Sequence, residues 1–244
     1  MTALLGGGLA RGSSTLVIGP AGSGKTSIAT QFAAAAAARG EKAAFFVFDE
    51  VAEMVMARAE GINTDIRGYV DEGLITLQQI DPAELAPGEF AHRVRHAVDH
   101  ENVRLVVIDS LNGYLNAMPE ERFLTIQMHE LLTYLNQRGV VTLLIMAQHG
   151  FLGTSMVTPI DVSYLADTVL MLRYFENEGA VHRAVSVIKK RSGAHEDTIR
   201  ELAITPQGLR VGEPLRQFQG VLTGVPIYGG GNPTPLVKEP DAKD

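Results

Sequence analysis

The sequence GPAGSGKT at residues 19–26 decides the fold, because it matches the spacing GxxxxGK[ST] at every position. An apolar run at residues 15–18 precedes it and predicts a buried strand. An alanine-rich stretch at residues 27–38 follows and predicts a helix. In this context, glycines let backbone N–H groups surround a phosphate chain, and the helix N-terminus adds positive potential. The segment predicts a phosphate-binding loop; the alternative is a glycine-rich turn without a ligand.

The loop suggests roles for two side chains. Lys25 is expected to neutralise the β- and γ-phosphates of a nucleoside triphosphate and thereby to take part in catalysis. The Thr26 hydroxyl is expected to coordinate Mg²⁺. Direct nucleotide contacts are predicted for the loop and the start of its helix, namely Ala21, Gly22, Ser23, Gly24, Lys25, Thr26 and Ser27.

The composition is that of an ordinary globular protein, with 45% hydrophobic and 20% charged residues in a chain of 244. No apolar run is long enough to cross a bilayer, so no membrane association is expected. The absence of cysteine removes disulfides and thiolate metal sites, and we expect a cytoplasmic protein. A net charge of −7 makes nucleic acid an unlikely main partner.

Apolar runs alternate with helical patterns, which predicts an α/β fold with a mostly parallel, twisted sheet covered by helices on both faces. An antiparallel hairpin is expected at the sheet edge, because two apolar runs flank the polar turn at residues 176–179. Strands are predicted at residues 15–18, 43–48, 74–78, 105–108, 140–146, 168–172 and 184–189, and helices at 27–38, 51–60, 89–100 and 120–138.

The predicted organisation is one catalytic domain at residues 1–212 and a Pro/Gly-rich tail or docking arm at residues 213–244. Only residues 1–14 precede the first predicted strand. We therefore expect a domain that is shortened at its N-terminus or cut from a longer protein.

Carboxylates follow two of the predicted strands, at the sheet edge where α/β proteins bind ligands. Asp109 ends the run at residues 105–108 and is expected to hold Mg²⁺ directly or through water, the alternative being a helix N-cap. Asp49 and Glu50 end the run at residues 45–48. Glu50 is expected to polarise the attacking water with Asp49 assisting, unless the two only cap the next helix. Gln148 either senses the γ-phosphate or is an ordinary polar strand end.

Two groups of cationic or titratable side chains have both a functional and an ordinary interpretation. The triplet Lys189, Lys190 and Arg191 is either a solvated turn or a set of cations that a neighbouring subunit supplies in trans to the transition state. Histidines recur every fourth residue at positions 92, 96 and 100. They form one helix face, which is solvated or, alternatively, binds a divalent metal.

Several of these motifs, in this order, resemble the KaiC family of RecA-type P-loop ATPases. The similar segments are GPAGSGKT at 19–26, FVFDE at 46–50, LVVIDS at 105–110, ADTVLML at 166–172 and VIKKRSGAHEDTIREL at 187–202. The segment FQGVLTGVP at 218–226 resembles the close of the family's C-terminal domain. The resemblance covers nearly the whole chain and implies a RecA-like fold.

The resemblance also implies six-membered rings that bind ATP at each subunit interface, with ATP and Mg²⁺ as the cofactors. Glu50 keeps the family's pattern of two adjacent glutamates, whereas Asp49 is shorter than the first of them. Lys189 and Arg191 fall on the K-x-R pair that reaches the neighbour's γ-phosphate. Residues that border the same nucleotide in the family correspond here to Ser192 and His195.

Three functions are consistent with the sequence. The first is a ring-forming regulatory ATPase, in which Glu50 activates water and the basic triplet completes a neighbour's site. The second is an ATP-gated signalling scaffold or autokinase with very low turnover and a protein partner. For autophosphorylation, the family's paired serine and threonine correspond to Ser163 and Tyr164, so the paired switch is not intact. The third is a DNA-dependent motor, which the acidic charge balance disfavours.

Overall fold

The computed structural model describes residues 1–48, 50–81, 83–115, 121–148, 164–222 and 227–228, with only the backbone described at residues 121–122. Its helices are α1 (Lys25–Ala37), α2 (Ala52–Glu60), α3 (Arg67–Asp71), α4 (Pro87–Asp99), α5 (Leu111–Leu115) and α6 (Glu121–Gln137). Its strands are β1 (Ser14–Gly19), β2 (Lys42–Val47), β3 (Ile75–Gln79), β4 (Val103–Asp109), β5 (Val141–Ala147), β6 (Thr168–Asn177), β7 (Ala180–Lys190), β8 (Arg200–Thr205), β9 (Gly208–Pro214), β10 (Phe218–Gln219) and β11 (Ile227–Tyr228).

Within these residues, nine strands form one sheet in the order β3-β2-β4-β5-β1-β6-β7-β8-β9. The six strands from β3 to β6 are parallel, and β1 lies between β5 and β6. The strands β6, β7, β8 and β9 pair antiparallel. This confirms the predicted α/β class, the mostly parallel sheet and the edge hairpin, and it adds β8 and β9, which the sequence did not predict.

The core has two layers because alternate residues of each strand face opposite sides of the sheet. Leu16 and Ile18 of β1 belong to the cluster that contains α4, α5 and α6. Val17 belongs to the cluster on the other face, with α1 and α2. The strand interiors are apolar on both sides, as expected for parallel strands that helices cover on both faces. Among the described residues, no helix combines the length and apolar character that crossing a bilayer would need.

The last described residues also pack on the sheet. Val221 is buried in a small cluster with Phe175 and Ala184, and the ring of Phe218 lies 5.1 Å from that of Phe175. The strands β10 and β11 pair antiparallel with each other. These residues belong to the predicted tail at 213–244, whose boundary stays a prediction.

Candidate functional site

A cavity of about 430 Å³ lies at the carboxyl ends of β1, β4 and β5, beside the N-terminus of α1. The parallel register explains the position, since Asp109 at the end of β4 pairs with Val47 of β2 and Ile145 of β5. Six of the seven predicted nucleotide-binding residues line the cavity: Ala21, Gly22, Gly24, Lys25, Thr26 and Ser27. The seventh, Ser23, is fully buried.

The loop needs glycine at two positions for backbone reasons. Gly22 has φ +72° and Gly24 has φ +101°, a left-handed conformation that side chains with a Cβ rarely adopt. A Cβ on Gly24 would also lie 2.6 Å from Cδ1 of Ile204, on strand β8. The antiparallel part of the sheet thus closes over the loop and fixes its path at the N-terminus of α1.

Lys25 is the first residue of α1, and its side chain extends into this cavity. Its Nζ donates a hydrogen bond to the carbonyl oxygen of Pro20 at 2.7 Å. Burial lowers the pKa of the Lys25 ammonium to about 8, the charge of Asp109 opposes that shift, and the charge of Arg58 adds to it. A phosphate placed beside Lys25 would favour the charged form. The lysine is therefore suited to bind an anion in this cavity.

Asp109 and Thr26 meet across the base of the cavity, where Thr26 Oγ1 donates to Asp109 Oδ2 at 2.7 Å. Burial raises the pKa of the Asp109 carboxyl to about 6, although the hydrogen bond from Thr26 lowers it. A hydroxyl and a carboxylate are the oxygen ligands that Mg²⁺ prefers, and a cation would stabilise the buried charge. The two residues therefore fit a magnesium site and would supply two of its oxygen ligands.

We expect Asp109→Asn to raise the free energy of unfolding of the nucleotide-free protein near neutral pH, by up to about 3 kcal/mol. Because the pKa of Asp109 is raised in the folded state, the folded protein retains a proton that the unfolded chain loses. Wild-type stability therefore falls as pH rises from about 4 to about 6, and the cost persists above that window. Asparagine does not titrate, so the difference should vanish near pH 4. Urea unfolding with a chelator at both pH values measures it; a variant less stable than wild type at neutral pH would contradict the expectation.

Glu50 lies on the cavity wall, three residues beyond β2, but its carboxylate has a partner that the sequence did not suggest. Arg58, near the end of α2, donates from Nη1 to Oε1 at 2.9 Å and from Nη2 to Oε2 at 2.5 Å. The ion pair raises the pKa of the Arg58 guanidinium, chiefly through this hydrogen bonding. Arg58 itself lines the cavity. Asp49, the predicted assistant, lies outside the described residues.

The edge hairpin contributes two more side chains that the sequence did not single out. Tyr174 of β6 donates its hydroxyl to the carbonyl of Ala21 at 3.0 Å, and Arg183 of β7 donates Nε to the carbonyl of Gly22 at 3.4 Å. Tyr174 and Arg183 are paired across the hairpin, and the guanidinium lies 5.6 Å from the ring centroid. Arg183 also lines the cavity. The hairpin therefore braces the phosphate loop from outside.

Gln148 follows β5, and its backbone N–H donates to the carbonyl of Gly19 at 3.0 Å, which holds the residue beside the start of the loop. Its Oε1 is buried and has no hydrogen-bond partner within the part of the chain that the structure describes. Gln148 therefore stays either a γ-phosphate sensor or an ordinary polar strand end, and its position beside the loop fits the sensor.

The basic triplet lies at the other end of the sheet from the phosphate loop. Lys190 and Lys189 pair with Thr168 and Val169 of β6, and Thr168 pairs with Thr15 near the start of β1. From Thr15 to the loop at Gly19 the strand rises roughly 13 Å. Here Lys189 Nζ donates to the Ala166 carbonyl at 2.9 Å. The chain does not bring these cations to its own loop.

Arg191 completes the triplet, and the other two predicted trans residues, Ser192 and His195, lie close to it in the chain. Arg191, whose side chain is 54% exposed, donates to the Tyr164 carbonyl at 2.9 Å and contacts Asp167 at 3.3 Å. Ser192 is exposed, and His195 Nε2 lies 3.4 Å from Asp197 Oδ1. These residues form a surface at the end of β7 that is separate from the cavity.

Two further hypotheses concern autophosphorylation at Ser163 and metal binding by the histidines in and directly after α4. Ser163, the residue considered for autophosphorylation, lies outside the described residues, whereas the neighbouring Tyr164 is half exposed. The ring centroids of His96 and His100 lie 4.7 Å apart, and the ring planes are tilted by 42°. Over the described ranges, no three His, Asp or Glu side chains are grouped so that they could hold a metal ion.

The sheet order, the glycine loop between β1 and α1, and an aspartate at the end of β4 together define a P-loop NTPase domain of the RecA-like type. Comparison with known families narrows this class. The model of the family described as "ATPase: KaiC" matches residues 1–216, and the chain belongs to that family.

Curated relatives agree with the family. The chain is 28% identical over 230 residues to circadian clock protein KaiC3 of a Synechocystis species, covering 92% of this chain and 44% of that protein. It is 25% identical over 223 residues to circadian clock oscillator protein KaiC of Thermostichus vulcanus, covering 91% of this chain and 43% of that protein. The chain thus spans less than half the length of these relatives.

Proposed function

We propose that this KaiC-family domain binds ATP with Mg²⁺, hydrolyses it, and works as a regulatory ATPase in a homo-oligomeric ring. The observation that carries the proposal is the convergence of Lys25, Thr26, Asp109 and Glu50 on one cavity at the N-terminus of α1. A phosphate-binding lysine, two magnesium ligands and a carboxylate for the attacking water are the parts that phosphoryl transfer to water requires.

Each residue has a separate task in this proposal. The backbone N–H groups of the loop and Lys25 bind the phosphates, and Thr26 with Asp109 would hold Mg²⁺, which supplies positive charge at the β- and γ-phosphates. Glu50 orients and deprotonates the attacking water, with Asp49 assisting. Tyr174 and Arg183 keep the loop in place through its carbonyl groups.

The basic triplet supports a ring with nucleotide at the subunit interfaces. Because the cations lie at the opposite end of the sheet from their own loop, a neighbouring subunit related head to tail would bring them to a second loop. We assign this task in trans to Lys189, Lys190, Arg191, Ser192 and His195. A hexamer is the proposed assembly, and the cytoplasm its proposed location.

Solution mass with and without Mg·ATP tests the proposal. Nucleotide shared between subunits predicts a mass near that of the 26.3 kDa chain without ATP and about six times that mass with it. Arg191→Ala should abolish both assembly and phosphate release, because it removes a cation that completes the site. The matched control is Arg210→Ala, on the exposed part of β9, which should behave as wild type. A wild-type protein that releases phosphate while remaining monomeric would contradict the ring.

One observation favours the second function, an ATP-gated signalling scaffold or autokinase with very low turnover. Both carboxylate oxygens of Glu50 accept hydrogen bonds from Arg58, so Arg58 competes with the attacking water for the proposed base in this state. Such a protein would bind ATP, assemble and present its surface to a protein partner while releasing phosphate very slowly. Phosphate release measured over hours distinguishes the two functions.

A further inference from the structure

The ion pair between Glu50 and Arg58 lies inside the candidate active site. The Arg58 side chain is 39% exposed and that of Glu50 is 23% exposed, so water reaches both partners. Ion pairs that water reaches contribute little to stability because solvent screens them and the side chains lose entropy. Another anion could therefore displace Glu50 from Arg58 at small cost.

The Arg58 guanidinium shares the cavity with the residues proposed to bind phosphate. Arg58 lines the same cavity as Lys25, Thr26 and Asp109. A guanidinium is a planar fork, and its N–H groups match the spacing of two oxygens in either a carboxylate or a phosphate. A terminal phosphate carries more negative charge than a carboxylate, so it competes effectively for that fork.

We propose that Arg58 recognises the third phosphate of ATP and that this recognition releases Glu50. In the state described here, Arg58 holds both oxygens of Glu50. When a triphosphate occupies the cavity, Arg58 donates to the γ-phosphate, and the freed carboxylate of Glu50 accepts a hydrogen bond from the attacking water. ADP lacks the group that displaces Glu50, so the ion pair remains. The inference rests on the proposed function, in which Glu50 is the base.

Calorimetry with ADP and with a non-hydrolysable β,γ-imido analogue of ATP, both with Mg²⁺, tests this inference. In Arg58→Ala, we expect analogue affinity to fall about tenfold, the typical value of a hydrogen bond to a charged group, while ADP affinity stays within about twofold. A purely structural role for Arg58 would weaken both nucleotides alike. Arg58→Lys keeps the charge but lacks the planar fork, so its affinity for the ATP analogue should lie between those of wild type and Arg58→Ala.

The matched control is Arg67→Ala, because Arg67 pairs with Glu60 and Glu53 in exposed ion pairs away from the cavity. It should leave the ratio of the two affinities unchanged. If Arg58→Ala does not fold, Arg58→Gln replaces it, since glutamine keeps a donor for Glu50 without the charge. A ratio equal to that of wild type, or an equal loss for both nucleotides, overturns the inference. If the wild-type protein binds neither nucleotide, both the proposed function and the inference about Arg58 fail.

Discussion

Replacing Glu50 with glutamine is expected to lower the kcat of ATP hydrolysis by about 100- to 10,000-fold, the usual contribution of a general base. Glutamine has nearly the same shape and keeps an oxygen that accepts from Arg58, but it cannot take a proton from water. ATP binding should therefore persist, and only the chemical step should slow. Phosphate release and nucleotide calorimetry on the same preparation separate the two effects.

The control for this experiment is Glu53→Gln, in the first turn of α2. The Glu53 side chain is 71% exposed and contacts Arg67 rather than the cavity, so its variant should hydrolyse ATP as wild type does. Equal rates for Glu50→Gln and wild type would remove Glu50 as the base and would favour the scaffold with low turnover.

Replacing Lys25 with methionine is expected to weaken ATP binding on the order of 100-fold or more, because it removes a buried cation from its phosphate partners. The unliganded fold should not lose stability. Burial lowers the pKa of Lys25 to about 8, so the lysine is still mostly charged at neutral pH but burying that charge costs folding free energy. Methionine removes this cost and has a similar volume. Calorimetry with Mg·ATP and thermal unfolding without nucleotide measure the two quantities.

Lys42→Met is the matched control, because Lys42 begins β2 at the end of the sheet away from the cavity. It should leave ATP affinity unchanged. ATP affinity retained by Lys25→Met, in a protein that unfolds cooperatively, would argue against the loop as the phosphate site.

The parallel half of the sheet was predictable because its central strands β1, β2, β4 and β5 are buried on both faces. The run at residues 105–108 is apolar without interruption, and β4 extends it at both ends to Val103–Asp109. The strands β8 and β9 were missed for the opposite reason. Most of their residues are only half buried, so Arg200–Thr205 has neither a continuous apolar run nor a clear alternation. Their position becomes fixed when they pair beyond β7 at the sheet edge.

The sequence by itself determined the phosphate loop, its lysine and threonine, and the aspartate that ends β4, because their geometry depends on a few neighbouring residues and on the strand they follow. Only the tertiary structure decided which side chains meet them. Arg58 reaches Glu50 because the last turn of α2 lies beside the cavity. Tyr174 and Arg183 reach the loop because β6 pairs with β1. Such contacts depend on helix orientation and strand register, whereas a charged or aromatic side chain in the sequence is equally compatible with a solvated surface.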